Sequence, residues 1–193
     1  MRRMDKKTVG LSNTFKANTA PRSFEKKPIK GTKFTIAIYS AKGGVGKSTV
    51  SVNLAATLSK ICNVGLLDLD IYGPSMPRMV GIAGRPQAGD DKKLRPLENY
   101  GVKCMSMGFL IEEDTPMIWR GPMVQSALEQ MLREVKWGEL DFLVVDLPPG
   151  TGDAQLTMAQ RVPIAGSVIV STPVSYTHLR AHETLRYLVC RLR

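Results

Sequence analysis

Cysteine and histidine are scarce in this chain, and long apolar segments are missing from it. The 193 residues contain three cysteines and two histidines, and no two cysteines have CxxC spacing. Neither a thiol-based metal site nor a disulfide framework is therefore predicted, which indicates a reducing compartment. No apolar run approaches the roughly 20 residues that a membrane-spanning helix needs. The first residues also lack the apolar segment of a secretory signal.

The net charge of +10 is concentrated at the two ends of the sequence. Residues 1–33 carry a net charge of +8 and residues 174–193 carry +3, whereas the stretch between them has a net charge of −1. A basic arm could contact DNA, but a solvated tail is the more common interpretation of such a segment. We therefore interpret the basic ends as solvated segments and expect neither nucleic acid nor a membrane as a partner.

Residues 1–33 are rich in lysine, contain Pro21 and Pro28, and show no apolar periodicity. This composition is typical of a flexible linker or arm. A mitochondrial presequence is the alternative, but such peptides favour arginine and serine and form amphipathic helices, which proline interrupts. We expect a cytoplasmic bacterial protein, with the mitochondrial matrix as the alternative location.

Short apolar segments alternate with helical patterns from Phe34 onward. Strands are predicted at Phe34–Tyr39, Val64–Leu69, Val102–Met107, Phe142–Val145 and Ser167–Val170. Helices are predicted at Thr49–Ile61 and Met123–Val135. Strands without polar alternation are typical of a parallel sheet that helices cover on both faces. We therefore predict an α/β fold with a doubly wound, mainly parallel sheet of the P-loop NTPase type, in a domain spanning residues 34–173.

A glycine-rich run follows the first predicted strand. Its residues are Lys42, Gly43, Gly44, Val45, Gly46, Lys47, Ser48 and Thr49. Glycines between a buried strand and a helix let several backbone N–H groups approach phosphate oxygens, and the helix N-terminus adds a partial positive charge. The run predicts a nucleoside-triphosphate site with Lys47 on the β- and γ-phosphates and the Ser48 hydroxyl on Mg²⁺. The usual pattern opens with glycine, where this chain has Ala41.

Three aspartates follow strands that are predicted to end at one edge of the sheet. Asp68 and Asp70 lie at the end of the second predicted strand, and Asp146 follows Phe142–Val145. Ligands bind at this edge of a doubly wound sheet, and a carboxylate there is suited to hold Mg²⁺ through water. A single aspartate at such a position is commonly a turn or helix cap, but three of them favour a site.

The second lysine of the glycine-rich run, Lys42, has no role in an ordinary P-loop. With this residue the run resembles the deviant Walker-A ATPases, a class that includes MinD, ParA, the nitrogenase iron protein and the Mrp family. The resemblance implies that Lys42 reaches across a homodimer to the partner's nucleotide. It also implies that Asp70 orients the attacking water, that Asp68 and Asp146 support the magnesium shell, and that Lys47 takes part in catalysis.

Two further runs narrow the resemblance. The run DLDIYGPSMP begins at Asp68 and the run DLPPGTGD begins at Asp146. Both closely resemble the Mrp family, ATPases that carry iron–sulfur clusters to apo-proteins. The sequences of the two runs are most similar to those of alphaproteobacterial and mitochondrial members. The resemblance covers about residues 30–173. It implies ATP, Mg²⁺ and a 4Fe–4S cluster as cofactors, a homodimer, apo iron–sulfur proteins as recipients, and weak ATP hydrolysis.

Two alternatives to a cluster carrier stay open at this point. A positioning ATPase of the MinD or ParA kind would use ATP to switch on a membrane or on DNA. A nucleotide-dependent scaffold would have the ATP site and no cluster chemistry. The YGPS and PPGTGD runs and the charge of the middle segment favour the carrier.

The family pattern ends after Pro173. Residues 174–193 begin VSYTHLRAHET and resemble one reading frame of a sequencing-library adapter, which predicts a non-native tail and a sheet that is incomplete at its C-terminus. The spacing of His178 and His182 imitates a zinc site on a helix, but we favour a translated adapter as its explanation. In the family, the cluster-binding CxxC lies farther downstream. We therefore predict no iron–sulfur ligand in this chain and leave open whether the shortened chain is active.

Overall fold

A computed structural model of the chain describes residues 25–71, 73–89, 91, 93–110, 121–150 and 152–172. Within these residues lie the strands β1 (Thr32–Tyr39), β2 (Val64–Asp68), β3 (Leu97–Asn99), β4 (Val102–Ser106), β5 (Leu140–Asp146) and β6 (Gly166–Ile169). The helices are α1 (Lys47–Leu58), α2 (Met76–Met79), α3 (Gly121–Arg133) and α4 (Asp153–Arg161), with a 3₁₀ turn at Met107–Phe109. The predicted non-native tail, with its two histidines, and most of the basic arm lie outside the described residues.

The six strands form one sheet in the order β3-β4-β2-β5-β1-β6. All neighbouring strands are parallel except β3, which runs antiparallel to β4 at the edge. The strands β1 and β2 follow each other in the chain but lie on opposite sides of β5 in the sheet. Helices cover both faces of the sheet. The predicted doubly wound, mainly parallel α/β fold is confirmed.

Side chains that alternate along each strand build a separate apolar core on each face of the sheet. On β2, Leu66 packs in the same core as Ala55 of α1, while Leu67 packs with Leu128 of α3 and Met158 of α4. Strands that are covered on both faces need apolar residues at every position, because successive side chains point in opposite directions. This requirement explains the unbroken apolar runs in the sequence.

The strand β1 begins at Thr32, two residues before the predicted start at Phe34. Ahead of it Ile29 is buried in the core that contains α3, and the Arg133 guanidinium donates hydrogen bonds to the carbonyls of Lys27 and Pro28. One buried side chain and contacts to backbone carbonyls hold this segment in place. Neither leaves a periodic pattern in the sequence.

The short strand β3 and the helices α2 and α4 were not predicted. The helix α1 begins at Lys47, two residues before the predicted start at Thr49, because Gly46 precedes it in a left-handed conformation that glycine adopts without strain. Within the part of the chain that the structure describes, no helix is long and apolar enough to cross a membrane.

Candidate nucleotide site

The glycine-rich loop between β1 and α1 has a backbone shape that only glycine adopts easily. Gly44 has a φ of 77° and Gly46 a φ of 89°. A Cβ at either position would meet nothing within 4 Å, so the requirement for glycine is conformational and the space beside the loop is open. The first turn of α1 has no acidic residue and no side-chain cap. Its free N–H groups and partial positive charge are suited to an anion.

Asp146, at the end of β5, is the centre of a buried hydrogen-bond cluster with three residues of α1. The Lys47 ammonium lies 2.8 Å from Asp146 Oδ1, and the Ser51 hydroxyl donates to the same oxygen at 2.7 Å. The Ser48 hydroxyl donates to Asp146 Oδ2 at 2.6 Å. Asp146 has no exposed surface and Lys47 is 6% exposed. A carboxylate buried this deeply requires such partners, because burial alone disfavours its charged form.

The contact between Ser48 and Asp146 agrees with a magnesium site at this edge of the sheet. The Ser48 hydroxyl donates a hydrogen bond to the carboxylate and accepts a long one of 3.4 Å from the Lys47 ammonium. One lone pair of its oxygen is therefore left for a cation. Among the residues that the structure describes, no group of three or more His, Cys, Asp or Glu side chains forms a metal cage. Mg²⁺ commonly keeps several waters and takes few protein ligands beside substrate phosphates, so a metal site here would not require such a cage.

Asp68 lies beside Asp146 in the sheet but has different partners. Its Oδ2 accepts a hydrogen bond of 2.8 Å from the Ser106 hydroxyl, and its Oδ1 accepts one of 3.0 Å from the backbone N–H of Asp70. Burial raises the pKa of Asp68 to about 7; the hydrogen bonds from Asp70 and Ser106 oppose the shift, and the nearby charges of Asp146 and Asp70 add to it. The side chain of Asp70 is half-buried at the same edge.

Ser106 links the edge at Asp68 to the loop that follows β2. The backbone N–H of Gly108 donates to Ser106 Oγ at 3.0 Å, so the hydroxyl proton is directed to Asp68. A Cβ on Gly108 would lie 2.8 Å from Pro74 Cβ and 3.2 Å from Pro77 Cγ. The turn after β4 and the YGPSMP segment are therefore in direct contact, and glycine is required there for its small size.

The loop after β5 contacts the start of the glycine-rich loop. The backbone N–H of Gly150 donates to the Ser40 carbonyl at 3.0 Å, and Gly150 has a φ of 93°. The Gln155 amide on α4 donates to the Pro148 carbonyl. The PPGTGD segment is thus attached on one side to the phosphate loop and on the other to α4.

The remaining predicted residues do not all join the cluster around Asp146. Lys42, Gly43, Gly44 and Thr49 are exposed, and Val45 is half-buried. Exposure of Lys42 is compatible with the role implied by the resemblance, which a single chain cannot test. Ser51 and Ser106 were not predicted to be site residues. The signal for Ser51 was present, since a polar residue four positions after Lys47 lies on the same face of a helix.

The two cysteines within the described residues are structural in their surroundings. Cys104 on β4 is buried in the core beside α1, and burial raises the pKa of its thiol to about 12. Cys62 is half-buried, and its thiol contacts the Leu58 carbonyl at 3.3 Å. Cys104 has no exposed surface, so a cluster could not reach its sulfur without opening the core. Cys190 lies outside the described residues.

Comparison with known proteins agrees with the resemblance drawn from the motifs. The chain matches, over residues 31–188, a family model named ParA and described as NUBPL iron-transfer P-loop NTPase. It is 54% identical over 162 residues to the iron–sulfur cluster transfer protein NUBPL of Mus musculus, covering 82% of this chain and 51% of the mouse protein. It is 48% identical over 171 residues to the iron–sulfur cluster carrier protein of Haemophilus influenzae, covering 88% of this chain and 46% of that protein. The chain spans about half the length of these relatives.

Solved structures show the same relationship at the level of the fold. A nucleotide-binding protein from Archaeoglobus fulgidus, in complex with ADP, has a TM-score of 0.66 and 42% identity, covering 78% of this chain and 58% of its own. MinD from Pyrococcus horikoshii, complexed with Mg-ADP, has a TM-score of 0.50 at 18% identity, covering 74% of this chain and 58% of its own. This likeness shows the fold alone. The relatives therefore support the carrier interpretation and not the MinD or ParA alternative. This chain belongs to the NUBPL iron-transfer family of P-loop NTPases, the group that includes the Mrp-type cluster carriers.

Proposed function

We propose that this protein is an ATP-binding carrier that holds iron–sulfur clusters and transfers them to apo-proteins. The observation that carries the nucleotide half of the proposal is the cluster of Lys47, Ser48 and Asp146 beneath an open, uncapped helix N-terminus. The iron–sulfur part of the proposal rests on the relatives, two of which are named for iron–sulfur cluster transfer and carriage. A 4Fe–4S cluster and a homodimer belong to the proposal through the family resemblance.

The glycine-rich loop would bind the phosphates through its backbone. Gly44 and Gly46 have positive φ, a conformation that can bring successive N–H groups to an anion, and α1 adds the partial charge of its N-terminus. Lys47 has three N–H donors, so it can keep its contact with Asp146 and still donate to phosphate oxygens. Bound Mg²⁺ would neutralise charge on the phosphates, with Ser48 as its protein ligand and Asp146 acting through water.

Hydrolysis of ATP would depend on residues at the rim of this cluster. Asp70 is half-buried at the sheet edge, and its backbone N–H donates a hydrogen bond to the Asp68 carboxylate. This arrangement is compatible with Asp70 orienting the attacking water. The exposed Lys42 would complete the nucleotide site of the partner protomer. Charge stabilisation by Lys47 and Lys42, rather than covalent chemistry, is what phosphoryl transfer requires from the protein.

The loops after β2 and β5 would convert hydrolysis into cluster release. Gly150 contacts the start of the phosphate loop, and Pro74 contacts the turn that holds Ser106 and Asp68. Loops that are ordered by a terminal phosphate and released on hydrolysis are a common switching device.

We propose a cytoplasmic location, as for a bacterial carrier. One relative, from Arabidopsis thaliana, is mitochondrial by name, which keeps the mitochondrial matrix as the alternative.

Anaerobic reconstitution of the intact gene product with iron and sulfide tests the proposed function. We expect the protein to bind both and to pass the cluster to an apo-ferredoxin, with ATP changing the transfer rate. The variant Lys47→Ala should still bind the cluster and lose the response to ATP. A protein that binds neither iron nor sulfide would leave only the nucleotide-dependent scaffold.

A further inference from the structure

Ser51 contacts Asp146 from the second turn of α1, outside the glycine-rich motif. Its hydroxyl oxygen lies 2.7 Å from Asp146 Oδ1 and 3.0 Å from the Lys47 carbonyl. Ser51 has no exposed surface. A serine hydroxyl has one proton, so these two acceptors compete for it.

The carboxylate is the stronger competitor for that proton. Hydrogen bonds to charged acceptors are shorter and stronger than bonds to neutral carbonyls, and the bond to Asp146 is the shorter of the two. The contact with the Lys47 carbonyl alone would be the ordinary back-bonding of a serine within a helix. The Asp146 contact is long-range, because it joins residues that are 95 positions apart on α1 and β5.

Ser48 and Ser51 together hold both oxygens of the Asp146 carboxylate. Ser48 donates to Oδ2 and Ser51 donates to Oδ1, and the two serines lie about one turn apart on the same helix. Two short side chains on a rigid helix fix the plane of the carboxylate. The third partner, Lys47, has a long side chain that must also serve the phosphates, so it fixes the carboxylate plane less firmly.

We propose that Ser51 is a positioning residue that orients Asp146 toward the Ser48 oxygen and its cation. This inference rests on the nucleotide half of the proposed function. Ser51 touches neither phosphate nor cation in this role, and it acts only through the carboxylate. Its loss should therefore weaken the gain in ATP affinity that Mg²⁺ provides, and it should leave ATP binding without metal nearly unchanged.

Calorimetric titration of ATP, with Mg²⁺ and with a chelator in its place, tests the proposal on the full chain. The quantity to compare is the dissociation constant measured with chelator divided by the one measured with Mg²⁺. In Ser51→Ala this ratio should be about tenfold smaller than in the wild-type protein, the typical effect of losing a hydrogen bond to a charged group. Ser51→Thr keeps the hydroxyl and should retain the ratio. Ser59→Ala is the matched control, since Ser59 directly follows the same helix and its hydroxyl contacts the carbonyls of Ala56 and Tyr100 rather than a carboxylate.

Ser51→Cys serves if the alanine variant does not fold. Its thiol fills the site but is a weak donor, so the ratio should fall in the same direction. An unchanged ratio in Ser51→Ala, or in Ser51→Cys if alanine is unfolded, overturns the proposal. Equal weakening of ATP binding with and without Mg²⁺ also overturns it, because that result indicates a structural role. If the intact gene product with its wild-type sequence binds no ATP at all, that result overturns the proposed nucleotide site itself.

Discussion

Asp68 and Asp146 are direct neighbours on β2 and β5, yet among the described residues only Asp146 has a cation as its partner. Lys47 neutralises Asp146 from 2.8 Å, whereas Asp68 is held by two neutral donors, the Ser106 hydroxyl and the Asp70 N–H. Both carboxylates are buried. Burial raises the pKa of Asp68 to about 7, although its two hydrogen bonds oppose the shift.

The first prediction concerns the pH dependence of stability. The pKa of Asp68 is raised from 3.8 to about 7 by burial, so between these values the folded protein binds more protons than the unfolded chain. The contribution of Asp68 to the free energy of unfolding therefore falls as pH rises from about 4 to about 7. Asp68→Asn removes this contribution, and urea unfolding should show its stability relative to wild type increasing across that window.

Asp141→Asn is the control for the pH experiment. Asp141 is held by the Lys33 ammonium, and this hydrogen bond lowers its pKa below 3.8. Its contribution to stability is lost only when pH falls below the usual aspartate range, so the difference from wild type should be flat between pH 5 and 8. Parallel curves for Asp68→Asn and wild type between about pH 4 and about pH 7 would contradict the assignment of Asp68 as a buried carboxylate with a raised pKa.

The second prediction concerns the buried pair of Lys47 and Asp146. Lys47→Ala should lower ATP affinity at least about 100-fold and reduce the free energy of unfolding by about 3 kcal/mol, because it leaves a buried carboxylate without its cation. The double variant Lys47→Met with Asp146→Asn removes both charges and should recover most of the stability without recovering ATP binding. Chemical denaturation and calorimetry measure the two effects separately. Equal stability of Lys47→Ala and wild type would show that the pair is not buried as described.

The third prediction concerns Lys42. Because its side chain is exposed, Lys42→Ala should change the free energy of unfolding by less than about 0.5 kcal/mol. It should leave ATP binding by the single chain intact and reduce ATP turnover by the intact gene product at protein concentrations at which it dimerises. Lys60→Ala, another exposed lysine at the far end of α1, is the control. Turnover by Lys42→Ala that matches wild type at every protein concentration would refute the role across the dimer.

The fourth prediction concerns the contact between the turn after β4 and the YGPSMP segment. Gly108→Ala places a Cβ 2.8 Å from Pro74 Cβ, so we expect a loss of about 1–3 kcal/mol in the free energy of unfolding. A Cβ on Gly73, one residue before Pro74, would meet nothing within 4 Å. Gly73→Ala should therefore be nearly neutral. Thermal unfolding of the two alanine variants compares them directly, and equal losses would argue against a close-packed contact at Gly108.

The regular part of the fold and the phosphate loop could be predicted because each has a local signature. Apolar runs such as those of β2 and β5 indicate buried parallel strands, and glycines before Lys47 indicate the loop. The short strand β3 could not be predicted, because three residues at a sheet edge have little periodicity. The anchoring of the segment at Ile29 depends on Arg133, which is more than 100 positions away.

The same limit applies inside the site. Lys47, Ser48 and Asp146 were predicted and are in direct contact. Ser106 was missed because its importance arises from its register opposite Asp68 on the neighbouring strand, and strand order cannot be read from a motif. The role of Lys42 stays a prediction, since it depends on a second protomer.

Binding of ATP by Asp146→Asn, measured by calorimetry with and without Mg²⁺, tests the central claim most directly. This substitution keeps the size of the side chain and removes the negative charge that Lys47 and Ser48 contact. Mg²⁺ should strengthen ATP binding by the wild-type chain and have little effect on the variant. The claim that Asp146 organises a magnesium–nucleotide site would be contradicted if Mg²⁺ strengthened binding equally in both proteins.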